Sequence, residues 1–300
     1  MKKDLLTLKD ITKDDLYDIL KLSKELKDNR LSSNALAGKS IGVIFAKSST
    51  RTRVSFEVGI HELGGHPLIL DQSKTQIGRG ETIEDTARVL SRYLHGIVIR
   101  TYKHEDIEGL AANASIPVIN ALTDEYHPCQ VLADLFTIYE LTGGQLEGKS
   151  IAFMGDGASN MSNSIILGGK LAGMDVRIGA PKEFRPSEEI LNTENGTGTA
   201  KWFEDPAEAA KGADFVYTDV FVSMGFEEES KQRLKVLLPY QVNAELMDQA
   251  APDAKVLHCL PAHRGEEITH DVLESDKSVV FDEAENRLHV QKAVLAMLVK

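Results

Sequence analysis

Cysteine is almost missing from this 300-residue chain: only Cys129 and Cys259 are present, far apart in sequence. That excludes a disulfide framework, and without a secretion signal it predicts reduced thiols in an intracellular, cytoplasmic protein. Long apolar runs are lacking too. None approaches the roughly 18 residues of a membrane span, so no membrane partner is expected. The first residues, MKKDLLTLKDITKDDLYDIL, hold no apolar h-region and read as an amphipathic helix rather than a signal peptide. The net charge is −12, with no block of five or six like charges, which argues against nucleic acid or an anionic lipid surface. An anionic small molecule stays open, but its positive charge must be supplied locally.

What is present is ordinary for a globular protein, with 42% apolar and 27% charged residues, and the length suits two hydrophobic cores. Short β-rich runs alternate with helix-length segments. Strands are predicted at SIGVIFA (40–46), HPLILD (66–71), GIVIRT (96–101) and PVINA (117–121). A second series follows at SIAFMG (150–155), DVRIGA (175–180), FVYTDV (215–220), KVLHCL (255–260) and SVVFD (278–282). The alternation predicts an α/β protein with two similar domains, each a mainly parallel sheet flanked by helices. Both series open alike, with GKSIGVIF at 38–45 and GKSIAFMG at 148–155. Between them HPCQVLADLFTIYELTGG (127–144) spaces Leu132, Leu135, Phe136 and Tyr139 along one helical stripe, a linking helix. EAENRLHVQKAVLAMLVK (283–300) is a second strong helix, free to pack back on either domain.

In open parallel sheets ligands bind beyond the carboxyl ends of strands. KSSTRTR (47–53) occupies such a place, directly before a predicted helix ending at Gly64–Gly65. The free N–H groups of that helix start, the hydroxyls of Ser49, Thr50 and Thr52, and the planar fork of Arg51 together suit an anion, phosphate above all. If 51 and 53 are both helical, their side chains point about 200° apart, so Arg51 is favoured over Arg53. The glycines of a P-loop are missing, and a solvated helix start capped by serine is the plain alternative.

His127 and Gln130 open the linking helix on one face and can both donate to a carbonyl oxygen, although both also suit capping. Arg100 ends the GIVIRT strand, where a plain surface arginine is common. GDGASN (155–160) lacks the third glycine of a dinucleotide fingerprint, and Asn160 reads better as a polar contact at a helix start. Asp219 and Ser223, in DVFVSMG (219–225), can meet an ammonium group or simply form a turn. HCLP (258–261) puts the Cys259 thiol and the Leu260 carbonyl at another strand end. HPC and HC together hold two histidines and two cysteines, but not at zinc-finger or zincin spacing, and a buried inert cysteine is the commoner case. No metal and no cofactor are assigned.

SSTRTR, HPCQ, DVFVSMG and HCLP, in this order, resemble the aspartate/ornithine carbamoyltransferase family, and the SMG and HCLP elements resemble its ornithine branch. The likeness runs from the first strand to EAENR. It implies carbamoyl transfer from carbamoyl phosphate to the δ-amine of L-ornithine, giving L-citrulline. It implies a carbamoyl-phosphate-binding domain over 1–140, completed by helix 283–300, and an ornithine-binding domain over 141–282. Ser49, Thr50, Arg51 and Thr52 would hold the phosphate; Arg100, His127, Gln130 and Arg287 would surround the carbamoyl group. Gln76 in KTQIG matches a position that reaches a neighbouring subunit's site, so the resemblance implies a homotrimer or a multiple of trimers. Asn160, Asp219, Ser223 and Met224 (through its backbone) match contacts to the α-amino and α-carboxylate groups. Cys259 and the Leu260 carbonyl match those at the δ-amine. Arg100, His127 and Cys259 are the catalytic candidates. Three positions depart from the usual pattern: Ala46 for glutamate, Phe221 for tryptophan and Ser159 for asparagine. One ligand per domain implies closure when both are bound. Putrescine, acetylornithine and aspartate are the rival acceptors within the family; a zinc or nicotinamide enzyme and a non-catalytic binding protein are rivals outside it.

Overall fold

The computed structural model of the chain describes residues 1–72, 80–222 and 230–300. Two compact units divide it, one of Met1–Phe136 with Glu285–Lys300 and one of Thr137–Ala284.

In the first unit β1 (Ser40–Phe45), β2 (His66–Asp71), β3 (Gly96–Arg100) and β4 (Val118–Leu122) pair in the order β2-β1-β3-β4, every pair parallel. The apolar run of β1 is buried almost throughout, as expected where helices cover both sheet faces, whereas the edge strand β2 is half exposed. The helices are α1 (Lys13–Asp28), α2 (Thr50–Glu62), α3 (Ile83–Tyr93), α4 (His104–Asn113) and α5 (Pro128–Leu141). The helix expected from the first residues starts only at Lys13. Thr7 and Asp10 close a capping box around a separate 3-10 turn, and Thr12 and Asp15 close a second box at the start of α1. From there Leu16, Ile19, Leu20 and Leu26 bury one stripe. Ile97 and Val118 of the sheet bury against Ala87, Ile107 and Leu110 of α3 and α4. α2 stops where Gly64 takes φ +79, with the Gly65 N–H donating to the Ile60 carbonyl at 2.9 Å.

The second unit runs β5 (Ser150–Met154), α6 (Asn160–Leu171), β6 (Asp175–Gly179), α7 (Glu188–Asn192), β7 (Thr199–Phe203), α8 (Pro206–Ala210), β8 (Phe215–Thr218), α9 (Ser230–Leu237), α10 (Ala244–Met247), β9 (Lys255–His258), α11 (His270–Leu273) and the start of α12 (Val280–Leu298). Its sheet is again parallel, ordered β7-β6-β5-β8-β9. The chain passes between units within α5 and α12, and α12 packs back on the first unit. There Lys27 Nζ donates to Asn286 at 2.8 Å and the buried Lys292 pairs with Glu62 at 2.9 Å.

Two expectations about strands need correction. SVVFD is not a strand: Ser278 makes one bridge to Val256, and α12 begins at Val280, three residues before the expected start. Its β-branched valines suggested a strand, but Asp282 and Glu283 favour a helix first turn and continue into a strong helical stretch. Conversely TAKWF, unread as a strand, forms β7. It is an edge strand with alternating burial, and edges need little apolar sequence.

In both sheets the chain adds strands to one side of its first strand and then switches to the other. β1 lies between β2 and β3, and β5 between β6 and β8. Ligand sites of open α/β sheets lie at such reversals, off the carboxyl ends. Among the described residues no helix is long and apolar enough to cross a membrane.

Candidate active site

At the first reversal, β1 ends at Phe45 and α2 starts at Thr50. Ser49 is the N-cap, its hydroxyl accepting from the Thr52 N–H at 3.3 Å. Thr50 and Arg51 are exposed, and Arg53 is turned to Glu57 at 3.7 Å. Thr52 is fully buried, and two guanidinium groups converge on its hydroxyl oxygen: Arg100 Nη1 at 3.3 Å and Arg287 Nη2 at 2.9 Å. Arg100 comes from the end of β3 and Arg287 from α12, so residues 52, 100 and 287 meet only in the fold. A hydroxyl accepts at most twice; the Thr52 oxygen already does so, and what it offers a ligand is its O–H proton.

His127 immediately precedes α5 and is buried. Burial, and then the positive charges of Arg287 and Arg100, hold its imidazole well below the ordinary range, so it is neutral at physiological pH. Gln130, one turn on, donates an amide N–H to Asp134 at 2.9 Å. The Cys129 Sγ donates to the Asn120 carbonyl at 3.3 Å, and burial pushes its thiol up to about 12. Lys47, which opens KSSTRTR, is buried between the Asp124 carboxylate and the ring of Tyr102, 4.2 Å from its centroid.

At the second unit's reversal, α6 begins with Asn160 after the N-cap Ser159, whose hydroxyl accepts from the Ser162 N–H at 3.2 Å. Asp219 follows β8, and Cys259 and Leu260 follow β9. The Cys259 thiol donates to Asp219 Oδ1 at 2.9 Å, and the Val220 N–H donates to the same oxygen at 2.7 Å. Burial pushes the Asp219 carboxyl up, opposed by the neighbouring His258 and by those two bonds. Leu260 takes φ +55, a left-handed conformation rare for a branched residue. Its N–H donates to His258 Nδ1 at 2.9 Å, which leaves the proton on Nε2 to face Glu267 at 3.1 Å. Both nitrogens of His258 are therefore engaged, although Asp219, His258 and Cys259 lie close enough to suggest a metal set.

Gln76, Ser223 and Met224 lie outside the described residues. The remaining candidates sit at one or other of the two reversals, at strand ends or on the helices entering beside them.

The carbamoyl-P binding domain of aspartate/ornithine carbamoyltransferase matches residues 3–140, and the Asp/Orn binding domain of the same family matches residues 147–298. The chain belongs to the aspartate/ornithine carbamoyltransferase family. Ornithine carbamoyltransferase of Bacillus subtilis is 50% identical, over 98% of this chain and 92% of its own length. That of Methanocorpusculum labreanum is 49% identical, over 99% and 98%. The solved structure of ornithine carbamoyltransferase from Pyrococcus furiosus superposes with a TM-score of 0.94 at 47% identity, covering 99% of this chain and 96% of that one.

The three departures from the family pattern are accommodated locally. The Ala46 N–H pairs with the Arg100 carbonyl at 2.9 Å whatever its side chain; Phe221 is fully buried; Ser159 caps α6. Sequence reasoning missed Glu267 and Glu283. Glu283 Oε2 accepts from the His258 N–H at 2.8 Å and its other oxygen from Tyr217 at 3.3 Å, so two buried carboxylates brace the HCLP loop. Nothing local marks them: Glu267 lies in a polar loop, and Glu283 adjoined a segment read as a strand.

Proposed function

We propose that this chain transfers the carbamoyl group of carbamoyl phosphate to the δ-amine of L-ornithine, yielding L-citrulline and phosphate. Support comes from end-to-end likeness to ornithine carbamoyltransferases and from one observation above others: Arg100 and Arg287 converge on Thr52 beside a neutral His127. That cluster is built to receive an oxygen that gains negative charge.

Ser49, Thr50, Thr52 and Arg51 at the α2 N-terminus receive the phosphate, whose charge the helix end and the guanidinium offset. Arg100, His127, Gln130, Arg287 and the Thr52 O–H surround the carbamoyl group. An alkyl ammonium, with a pKa of about 10.4, has no lone pair to attack with. The reactive species is the neutral amine, held by Cys259 and the Leu260 carbonyl. Its lone pair forms the C–N bond while the C=O electrons move onto oxygen. Thr52, Arg100 and His127 stabilise that oxyanion, each donor contributing about 3 kcal/mol in comparable sites. The C–O bond to phosphate then breaks and the ammonium proton leaves with the phosphate. A neutral His127 suits this role better than an imidazolium, which would tend to surrender its proton to the intermediate. Asp219, Asn160, Ser223 and the Met224 backbone take the α-amino and α-carboxylate groups. This chemistry calls for no metal or redox cofactor. A homotrimer, with Gln76 reaching a neighbouring site, belongs to the same proposal; a monomeric mass in light scattering would overturn that part.

The test is citrulline formation by purified protein with carbamoyl phosphate and, in turn, ornithine, acetylornithine, putrescine and aspartate, with and without EDTA. Turnover confined to ornithine and indifferent to EDTA is expected. Preference for another acceptor would overturn the roles given to the second unit, and no turnover would overturn the function.

A further inference from the structure

Behind the two second-unit segments that carry Asn160 and Asp219 lies a cluster the chemistry above does not use. Phe221, Leu237 and Tyr240 are buried together, with Phe184 and Leu234 packed against them. Arg233, on α9, is set into this cluster and only 8% exposed. Its guanidinium lies over the Phe184 ring, 4.6 Å from the centroid. One edge donates to the Phe221 carbonyl, Nε to O at 3.2 Å, and Nη2 donates to Asp156 Oδ2.

Each partner belongs to a substrate segment. Asp156 Oδ1 accepts from the Ala158 N–H at 2.9 Å, and the Asp156 carbonyl from the Ser159 N–H at 3.2 Å. It thereby shapes the turn that ends at the α6 cap, one residue before Asn160. Phe221 follows Asp219 by two residues, and its ring lies against Gly155. There φ is +131 and a Cβ would come within 3.1 Å of the ring, so a side chain is unwelcome. A well-packed apolar side chain could fill the Arg233 position at no loss of stability, because enclosing an ion pair carries a heavy desolvation cost. What the planar fork adds is direction: two segments are held at once by two edges of one rigid group, which a lysine cannot do.

We propose that Arg233 and Asp156 are positioning residues for the amino-acid substrate. They lock the β5–α6 turn to the exit of β8, and so fix the spacing between Asn160 and Asp219, which receive the substrate's α-carboxylate and α-amine. This rests on ornithine being the acceptor, so wild-type turnover with ornithine is measured first; its absence overturns the function and this proposal with it.

The experiment is steady-state kinetics of the full chain carrying Arg233→Gln, Arg233→Lys, Asp156→Asn or the Gln/Asn pair, with thermal unfolding in parallel. Arg233→Gln and Asp156→Asn raise KM for ornithine at least about fivefold and leave KM for carbamoyl phosphate within about twofold. Arg233→Lys recovers at most part of the loss, and the double variant is no worse than Arg233→Gln, as expected of two groups acting through one contact. A merely structural role would lower the melting temperature and leave both KM values alone. An ornithine KM raised by less than about fivefold, or an equal rise in both KM values, overturns the proposal. Should Arg233→Gln fail to fold, Asp156→Asn, which keeps the guanidinium in place, decides the matter by the same criterion.

Discussion

At the scale of single residues, the site depends on making groups do what their ordinary chemistry would not. Burial with two arginines keeps His127 neutral, so its titration is the direct readout. The sign follows from linkage. The folded imidazole refuses a proton that the unfolded one accepts below about pH 6.5, so stability declines as pH falls through and below that value. NMR of the imidazole carbon-bound protons between pH 8 and 5 should show His127 neutral throughout the range where free histidine titrates. A midpoint at or above 6.5 would remove the neutral donor from the mechanism. Thr52 shows how far residue-level reading can go. Its hydroxyl is legible in SSTRTR as a phosphate donor, but its job as the acceptor joining Arg100 and Arg287 is not, because Arg287 lies 235 positions away. The same holds for His258, visible in HCLP while its brace, Glu267 and Glu283, is not.

At the scale of elements, α2 shows sequence and structure in closest accord. KSSTRTR predicts a strand end and a helix start, with a serine cap as the plain alternative, and β1, an N-cap at Ser49 and α2 follow in that order. Removing the cap hydroxyl should cost about 1 kcal/mol of stability and loosen the N–H groups at the start of α2. Ser49→Ala is therefore expected to unfold at lower denaturant concentration and to raise KM for carbamoyl phosphate. A variant with unchanged stability and KM would show that the cap organises nothing. Elements were misread where tertiary context overrode local preference. The valines of SVVFD favour a strand in isolation, yet the acidic first turn and the long helix behind it win. TAKWF goes unread as a strand because a part-exposed edge strand needs little apolar sequence.

At the scale of the whole molecule, two parallel sheets each reverse strand order once, and the candidate residues gather at those reversals. Periodicity announced two similar α/β domains, but strand order is a property of long-range pairing, so the reversals were invisible until the fold was seen. The return of α12 to the first unit, which carries Arg287 to Thr52, is left open by the helix pattern, expected from the family resemblance and borne out in the fold. The proposed function divides the labour, with anion chemistry in one unit and the amino acid's head in the other.

Carbamoyl phosphate binding without ornithine, compared by calorimetry in Thr52→Val and Asp219→Asn, tests this division most directly. Thr52→Val removes an O–H donor and the acceptor on which two guanidinium groups converge, and should weaken binding on the order of tenfold or more, the worth of one charge-assisted hydrogen bond. Asp219→Asn should bind within about twofold of the wild type while losing citrulline formation, because it disturbs only the acceptor's contacts. Equal weakening in both variants, or unaltered binding in Thr52→Val, would contradict the account.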